Sequence, residues 1–304
     1  MELGKVLLIG NPVAHNGDGA NYSLRAEKAL QAAVGENITM RMTEYPHQGA
    51  ELAAASAGFD TVVLVGGDGL VHEVVNGLMK IEKENRPVLG LLPAGSGNDY
   101  ARTLGMSFEI ETAVDQLLKA SVRDFDLGCC NGEYFAQTLS FGLDAAIALN
   151  TVERGKRTEK AGPPVFIDSG VDMLLHHMNE YEYEIEIDGW SPVDGKMYLL
   201  AVQMGVTYGG GFQICPNAIP DDGLLDFCIA RPPLSTPKAL LIFLLAKFAL
   251  HTKFRALEFG RAQTIEITFK DIEPPIQADG ERAHGMKHTI SCERRALKVA
   301  VASS

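Results

Sequence analysis

The residues of this chain best placed to hold a charged ligand sit in three glycine-rich turns. In the stretch VLVGGDGLVHEVVNGLM (Val63 to Met79), an apolar run leads into Gly66, Gly67, Asp68 and Gly69, and a helix-spaced run follows. A glycine turn at a helix start offers free backbone N–H groups and a partial positive charge to phosphate. A carboxylate fits there if Mg2+ joins it to phosphate oxygens. The alternative is that Asp68 only caps the helix. The turn holds no lysine and does not match the GxxxxGK[ST] phosphate loop. A second turn, LLPAGSGNDYARTLG (Leu91 to Gly105), brings Ser96, Asn98 and Asp99 to the end of another apolar run, with Asn98 or Asp99 as a simple N-cap the competing reading. A third, GNPVAHNGDGA, follows the first strand.

The elements needed to position these turns are legible. Apolar runs such as KVLLIG, TVVLV and PVLGLLP alternate with helix-spaced segments through residue 127. Strands buried on both faces and joined by helices predict an open, mostly parallel sheet. Ligands bind beyond the carboxyl ends of such strands, so the three turns can share one rim. Near Asp126 the pattern changes. YEYEIEIDG, KMYLLAVQMG, GLLDFCIA and QTIEITF alternate like antiparallel strands, with the acids of the first on one solvated face. The segment Gly155 to Ser169 is charged and proline-bearing and is expected to be an exposed excursion. A single long helix is expected over STPKALLIFLLAKFALHTKF, opened by Ser235 or Thr236 with Pro237 at its first turn.

Composition narrows the function. The net charge of −12 excludes the basic face of a nucleic-acid binder, and means that a polyanion needs local cations or a metal. Five cysteines without a CxxC pair read as free thiols of a reducing, cytoplasmic protein. Cys129 and Cys130 read as buried strand. His176, His177, His284 and His288 read as surface histidines. The apolar run from Ala239 to Leu250 is too short to span a bilayer, and either covers the core or meets lipid.

Taken in order, GNP, VGGDG, VNGL and LPAGSGNDYAR resemble the diacylglycerol kinase catalytic-domain family, which includes bacterial lipid kinases and the sphingosine and ceramide kinases. DFDLGCCNGEYFAQTLSFGLDA (Asp124 to Ala145), YGGGFQICPNAIPDDGLLD (Tyr208 to Asp226) and QADGER (Gln277 to Arg282) extend the resemblance over most of the chain. It implies an α/β nucleotide domain over residues 1–127, joined by 294–304, and a β-sandwich lipid-substrate domain over 128–293, with the active site between them. It implies ATP and Mg2+ as cofactors, a lipid alcohol as acceptor, peripheral contact with a membrane and no nucleic acid, and leaves a homodimer open. Asn11, Thr43, Gly66, Gly67, Asp68, Gly69, Glu73, Ser96 and Asn98 fall at the nucleotide positions. Asp68, Asp99 and Asp126 fall at the acidic cluster around the catalytic metal. Asp222, with the carbonyls of Ile219 and Leu224, falls at a second, structural Mg2+ site. Glu281 falls at the general base, with Asp68 and Asp126 beside it in the catalytic set. An NAD-kinase-like enzyme and a nucleotide-binding regulatory protein are the alternatives. Leu70 replaces the family's threonine, so a bulky apolar side chain is expected near the nucleotide. Without the resemblance, ADGER reads first as a hairpin turn with solvated charges, and PDDGLLD equally as a turn opening a strand.

Overall fold

The computed structural model describes residues 1–158 and 162–303. In chain order the elements are β1 (Val6–Gly10), α1 (Gly19–Val34), β2 (Ile38–Met42), α2 (Gln48–Ala54), β3 (Thr61–Gly66), α3 (Asp68–Leu78), β4 (Val88–Pro93), α4 (Asp99–Thr103), α5 (Ile110–Leu118) and β5 (Ser121–Cys130). After these come β6 (Glu133–Phe135), β7 (Thr138–Gly142), α6 (Leu143–Thr158), α7 (Pro163–His176), β8 (Tyr181–Ile187), β9 (Val193–Met197), β10 (Leu199–Gln203) and β11 (Leu225–Ala230). The last are α8 (Thr236–Ala246), β12 (Leu257–Ala262), β13 (Thr264–Phe269), β14 (Ile276–Ala278), β15 (Glu281–Ala283) and β16 (Lys287–Val301). Two compact units result: Met1–Asp126 with Arg294–Ser304, and Leu127–Glu293.

In the first unit β2, β1, β3 and β4 run parallel in that order, and the end of β16 joins β4 in parallel with Val299 opposite Leu89. Every residue of β1 and β3 is buried, as expected of strands covered on both faces. Helix α1 packs on α5 and α2 on α3.

The second unit is built on an antiparallel six-stranded sheet, β12-β11-β10-β7-β14-β15. Alternate residues of its strands, among them Leu139, Phe141, Leu200, Phe227 and Ile276, meet Tyr183, Ile185, Ile265, Ile267 and Ile290 from β8, β13 and β16. This is the expected sandwich. Its other face carries a helical layer, in which Leu143, Ile147, Phe166, Met173 and Phe243 cluster over Ala201 and Cys228.

Three expectations are corrected. The charged stretch after Gly155 is not an excursion: α6 runs to Thr158 and α7 opens at Pro163, while residues 159–161 lie outside the described residues. Val165 and Phe166 are buried, and Arg154 on α6 pairs with Asp172 on α7 at 2.5 Å, so the two helices that flank this stretch pack on each other. The long helix over 235–254 is shorter. It stops at Ala246, where the Lys247 amine donates to the Gly210 carbonyl at 2.6 Å and Ala249 turns left-handed at φ 58°. His288 is buried rather than on the surface, with its ring against Phe141 at 5.1 Å. The acids of β8 alternate with buried Tyr181, Tyr183 and Ile185, as the pattern requires. All five cysteines are free thiols, with Cys130 buried.

Candidate active site

The three turns of the first unit meet. The Ala94 amide donates to the Gly66 carbonyl at 2.8 Å, the His15 amide to the Ala94 carbonyl at 2.8 Å, and the Asn11 amide to the Val65 carbonyl at 3.1 Å. The loops after β1, β3 and β4 are thereby bound into one rim at the carboxyl ends of the strands, where an open sheet places its ligands. Gly67 and Gly95 face each other across it. A Cβ on Gly67 would lie 2.8 Å from the Gly95 Cα, so neither position tolerates a side chain. Beside them, Gly69 looks into open space at the first turn of α3. A bare backbone cradle at a helix N-terminus is suited to a phosphate.

Asp68 does more than cap its own helix. Its Oδ1 accepts the Tyr100 amide at 3.0 Å, which ties the start of α3 to the start of α4. Asp99 is buried at the first position of α4, with the Arg102 Nε 3.7 Å from its Oδ1. Asp126 is buried in the middle of β5, and its Oδ1 accepts the Arg295 amide at 2.6 Å. Among the described residues no three of these acids, or of any His, Cys, Asp or Glu, gather as a metal cage. Mg2+ at a nucleotide needs only one or two carboxylates, with phosphate and water supplying the rest. Asp68 beside the glycine cradle fits that donor set.

Two predicted nucleotide residues turn out to hold the loops. Asn98 sits in a left-handed conformation at φ 53°, its Oδ1 accepting the Gly95 amide and its Nδ2 donating to the Gly95 carbonyl, both at 2.8 Å. Glu73 accepts the amides of His47 at 3.1 Å and Gly49 at 2.8 Å, and so caps α2. Ser96 is exposed at the tip of its turn. Thr43 follows β2, its amide bonded to the Gly10 carbonyl at 2.9 Å. Leu70 corrects the expectation attached to it. Only 4% exposed, it packs inward beneath the turn, between the positions of Gly66 and Gly49.

In the second unit the DGE segment is a hairpin between β14 and β15. The Asp279 carboxylate accepts three backbone amides, from Ala136 at 2.7 Å and from Gln137 and Thr138 at 2.9 Å each. Glu281, two residues on, is half-buried at the start of β15 opposite Ala278, and its carboxylate has no hydrogen-bond or ion-pair partner among the described residues. One acid of the motif is therefore structural and the other is available for chemistry.

At the DDG turn the Asp222 Oδ1 accepts the Leu224 amide at 3.2 Å, and Arg261 pairs with the same carboxylate. The Arg261 Nε also lies 3.4 Å from Asp226. A divalent ion held by Asp222 with the Ile219 and Leu224 carbonyls would have to displace a guanidinium already in place. Asp222 with these carbonyls would hold such an ion only once the half-exposed Arg261 side chain had moved aside, and no step is routed through it.

Sequence reading missed a buried polar row. The register sets Arg261 opposite Asp226, Asp226 opposite Gln203, and Gln203 opposite Thr138. Gln203 donates to the Thr138 hydroxyl at 2.6 Å, and the Asp279 amide donates to the Thr138 carbonyl at 2.8 Å. The row thus links the DDG turn to the DGE hairpin. Burial pushes the Asp226 carboxyl up to about 6. Polar residues alternating along a strand imitate a solvated face, and only their burial in the folded chain reveals otherwise. Nearby, a cavity of about 50 Å3 lies between the helices and the sheet, lined by Leu174, Ile214, Ile242 and Phe243 with Asp144 and His251. Asp144 accepts the Tyr208 hydroxyl, and burial raises its pKa and lowers that of His251.

A parallel α/β unit with glycine turns on its rim, followed by an antiparallel sandwich, is the build of a two-part kinase. The family comparisons agree with it. Residues 5–130 match the diacylglycerol kinase catalytic domain, and residues 137–301 match the YegS C-terminal NAD kinase beta sandwich-like domain. The chain belongs to the diacylglycerol kinase catalytic-domain family, kinases of the lipid and diacylglycerol type. It is 30% identical to a "Probable lipid kinase YegS-like" of Pseudomonas aeruginosa over 98% of this chain and 95% of that one. It is 29% identical to a diacylglycerol kinase of Bacillus subtilis over 75% of this chain and 73% of that one. In fold it resembles a diacylglycerol kinase of Bacillus anthracis, with a TM-score of 0.76, 23% identity, and coverage of 99% and 98% of the two chains. An NAD kinase of Archaeoglobus fulgidus solved with ATP shares the fold more distantly, with a TM-score of 0.53, 13% identity, and coverage of 98% and 93%.

Proposed function

We propose that the protein transfers the γ-phosphate of ATP to the hydroxyl of diacylglycerol or a similar lipid alcohol, with Mg2+ as cofactor. The observation that carries this reading is the pair of facing glycine turns, Gly67 against Gly95, with Asp68 at their edge. In this reading Gly66, Gly67 and Gly69 lend backbone amides to the phosphates, and Asn11, Thr43 and Ser96 border the nucleotide. Glu73 and Asn98 serve by holding the loops. Asp68, with Asp99 and Asp126 in support, would hold Mg2+, which when bound neutralises charge on the transferred phosphoryl group. Glu281 takes the proton of the acceptor hydroxyl as that oxygen attacks the γ-phosphorus. The bond to the bridging oxygen of ADP breaks, and a phosphate monoester and ADP leave. An alcohol is a weak nucleophile, so a carboxylate without a competing partner is the group the step requires.

Transfer of label from Mg-ATP to diacylglycerol, sphingosine, ceramide, phosphatidylglycerol and NAD tests the reading. Label is expected in the lipid phase. Label in NAD instead would favour the NAD-kinase alternative, and ATP binding without any transfer would favour a regulatory protein. Glu281→Gln should lower transfer about a hundredfold or more while nucleotide binding persists. Normal turnover in that variant would remove Glu281 from its role.

A further inference from the structure

The outer face of α8 is apolar and uncovered in this chain. Leu241, Leu244 and Phe248 follow one another at helical spacing and share one side of α8 and the turn after it. They are 49%, 43% and 69% exposed, and neighbouring Leu250 is 62% exposed. The opposite side of the helix does the packing, with Ala239, Ile242, Phe243 and Ala246 buried. Core packing therefore leaves the outer leucines and Phe248 unexplained.

Charge tells what this face is built to meet. From Phe227 to Leu257 the sequence holds five cations, Arg231, Lys238, Lys247, Lys253 and Arg255, and no aspartate or glutamate, in a chain whose net charge is −12. Arg231 is paired with Glu258 at 2.6 Å, and Lys247 is anchored on the Gly210 carbonyl. Lys238, Lys253 and Arg255 are exposed and make no ion pair among the described residues. Leucine and phenylalanine side chains beside exposed cations are the composition that settles on an anionic bilayer, where apolar burial and attraction to the headgroups add. A second copy of the chain is a poorer occupant. An isologous contact on this face would bring the same cations, with no acid between Phe227 and Leu257 to answer them, to both sides of the seam.

We propose that the outer face of α8 and the turn following it, Leu241, Leu244, Phe248 and Leu250 flanked by Lys238, Lys253 and Arg255, dock the protein on an anionic lipid bilayer. This deepens the lipid-kinase reading, since an acceptor with hydrocarbon chains resides in a bilayer. Its physical ground is separate from catalysis. The helix lies in the interface rather than crossing it: no helix among the described residues is long and apolar enough to span.

The test is sedimentation of the full chain with vesicles of phosphatidylcholine, alone or mixed with phosphatidylglycerol, at low and high salt. It uses the double variants Leu244→Glu with Phe248→Glu and Lys253→Glu with Arg255→Glu. Transfer to a short-chain, water-soluble diacylglycerol without vesicles is measured in parallel, with melting temperature as a folding control. Wild type is expected to sediment with anionic vesicles, and high salt to weaken that binding. Each double variant should lose about tenfold in partition, with short-chain transfer and melting unchanged. Variants that partition like wild type, or wild type that stays in solution with anionic vesicles, would overturn the proposal. So would a dimer that Phe248→Glu splits, which would give the face to a second copy. Vesicle binding as expected, with no short-chain transfer by wild type, would leave the docking face standing and remove the lipid-kinase reading.

Discussion

Leu70 shows how one residue's meaning depends on the direction of its side chain. Its position next to GGDG suggests an altered nucleotide contact. Its burial beneath the turn makes it a packing residue, filling space against Gly49 and Gly66. Leu70→Thr would remove buried apolar volume and bring a hydroxyl into a site with no obvious partner. A loss of about 2 kcal/mol is expected, together with a lower melting temperature. If Leu70→Thr melts like wild type and changes ATP affinity instead, the side chain faces the nucleotide after all. Asp68 teaches the complement. The choice between capping residue and ligand residue is not exclusive, because one oxygen holds the Tyr100 amide and so aims the carboxylate at the rim. Residue types and spacing singled out Asp68, Asp99, Asp126, Asp222 and Glu281 as candidates, and passed over Asp226. They did not say which acids were already occupied.

At the scale of elements, the β14–β15 hairpin depends on Asp279, which satisfies three amides of the segment leading into β7. Asp279→Ala would leave those buried donors without their acceptor, at a cost of about 3 kcal/mol. Glu281 sits on the same hairpin, so in the proposed reading, with the nucleotide on the first unit, phosphate transfer is expected to fall while affinity for an ATP analogue stays near wild type. A variant that melts normally and turns over normally would show that the hairpin does not need its clamp. Elements were legible where one pattern ran unbroken: β1, β3, β4 and β11 fall within the apolar runs that announce them. The failures have a local cause. The stretch after Gly155 mixes cations and prolines, yet Arg154 finds Asp172 and Pro163 opens α7. The end of α8 is set by Lys247 reaching a carbonyl more than thirty residues earlier in the chain.

For the whole molecule, buried titrating groups link stability to pH. Asp226 has a folded pKa of about 6 against an ordinary value of 3.8, because burial disfavours its charged form. A raised carboxyl pKa contributes stability that is complete below the unfolded value and is lost as pH climbs through the folded one. The window for Asp226 therefore lies between about pH 4 and pH 6, with stability falling as pH rises. Buried His251 and His288 act in the opposite sense, since burial lowers their pKa values and favours the neutral ring at higher pH. Asp226→Asn should raise the melting temperature at pH 7, by at most about 3 kcal/mol of stability. The gain should shrink toward pH 4, because the folded Asp226 carboxyl is protonated there and carries no more buried charge than asparagine. A melting temperature below wild type at pH 7 would mean that the Arg261 pairing outweighs the burial.

The sequence by itself determined the succession of a parallel α/β half and an antiparallel half, the three glycine turns, the family, and the positions of Asp68 and Glu281. These follow from patterns of period two and 3.6 and from short motifs, which are properties of neighbours in the chain. Only the tertiary structure decided that Leu70 turns inward, that Glu73 and Asn98 are held by backbone groups, that Arg261 occupies Asp222, and that Thr138, Gln203 and Asp226 form one buried row. Each of those outcomes depends on a partner from another part of the fold. Burial and pairing are set by which strands lie side by side and by what covers them.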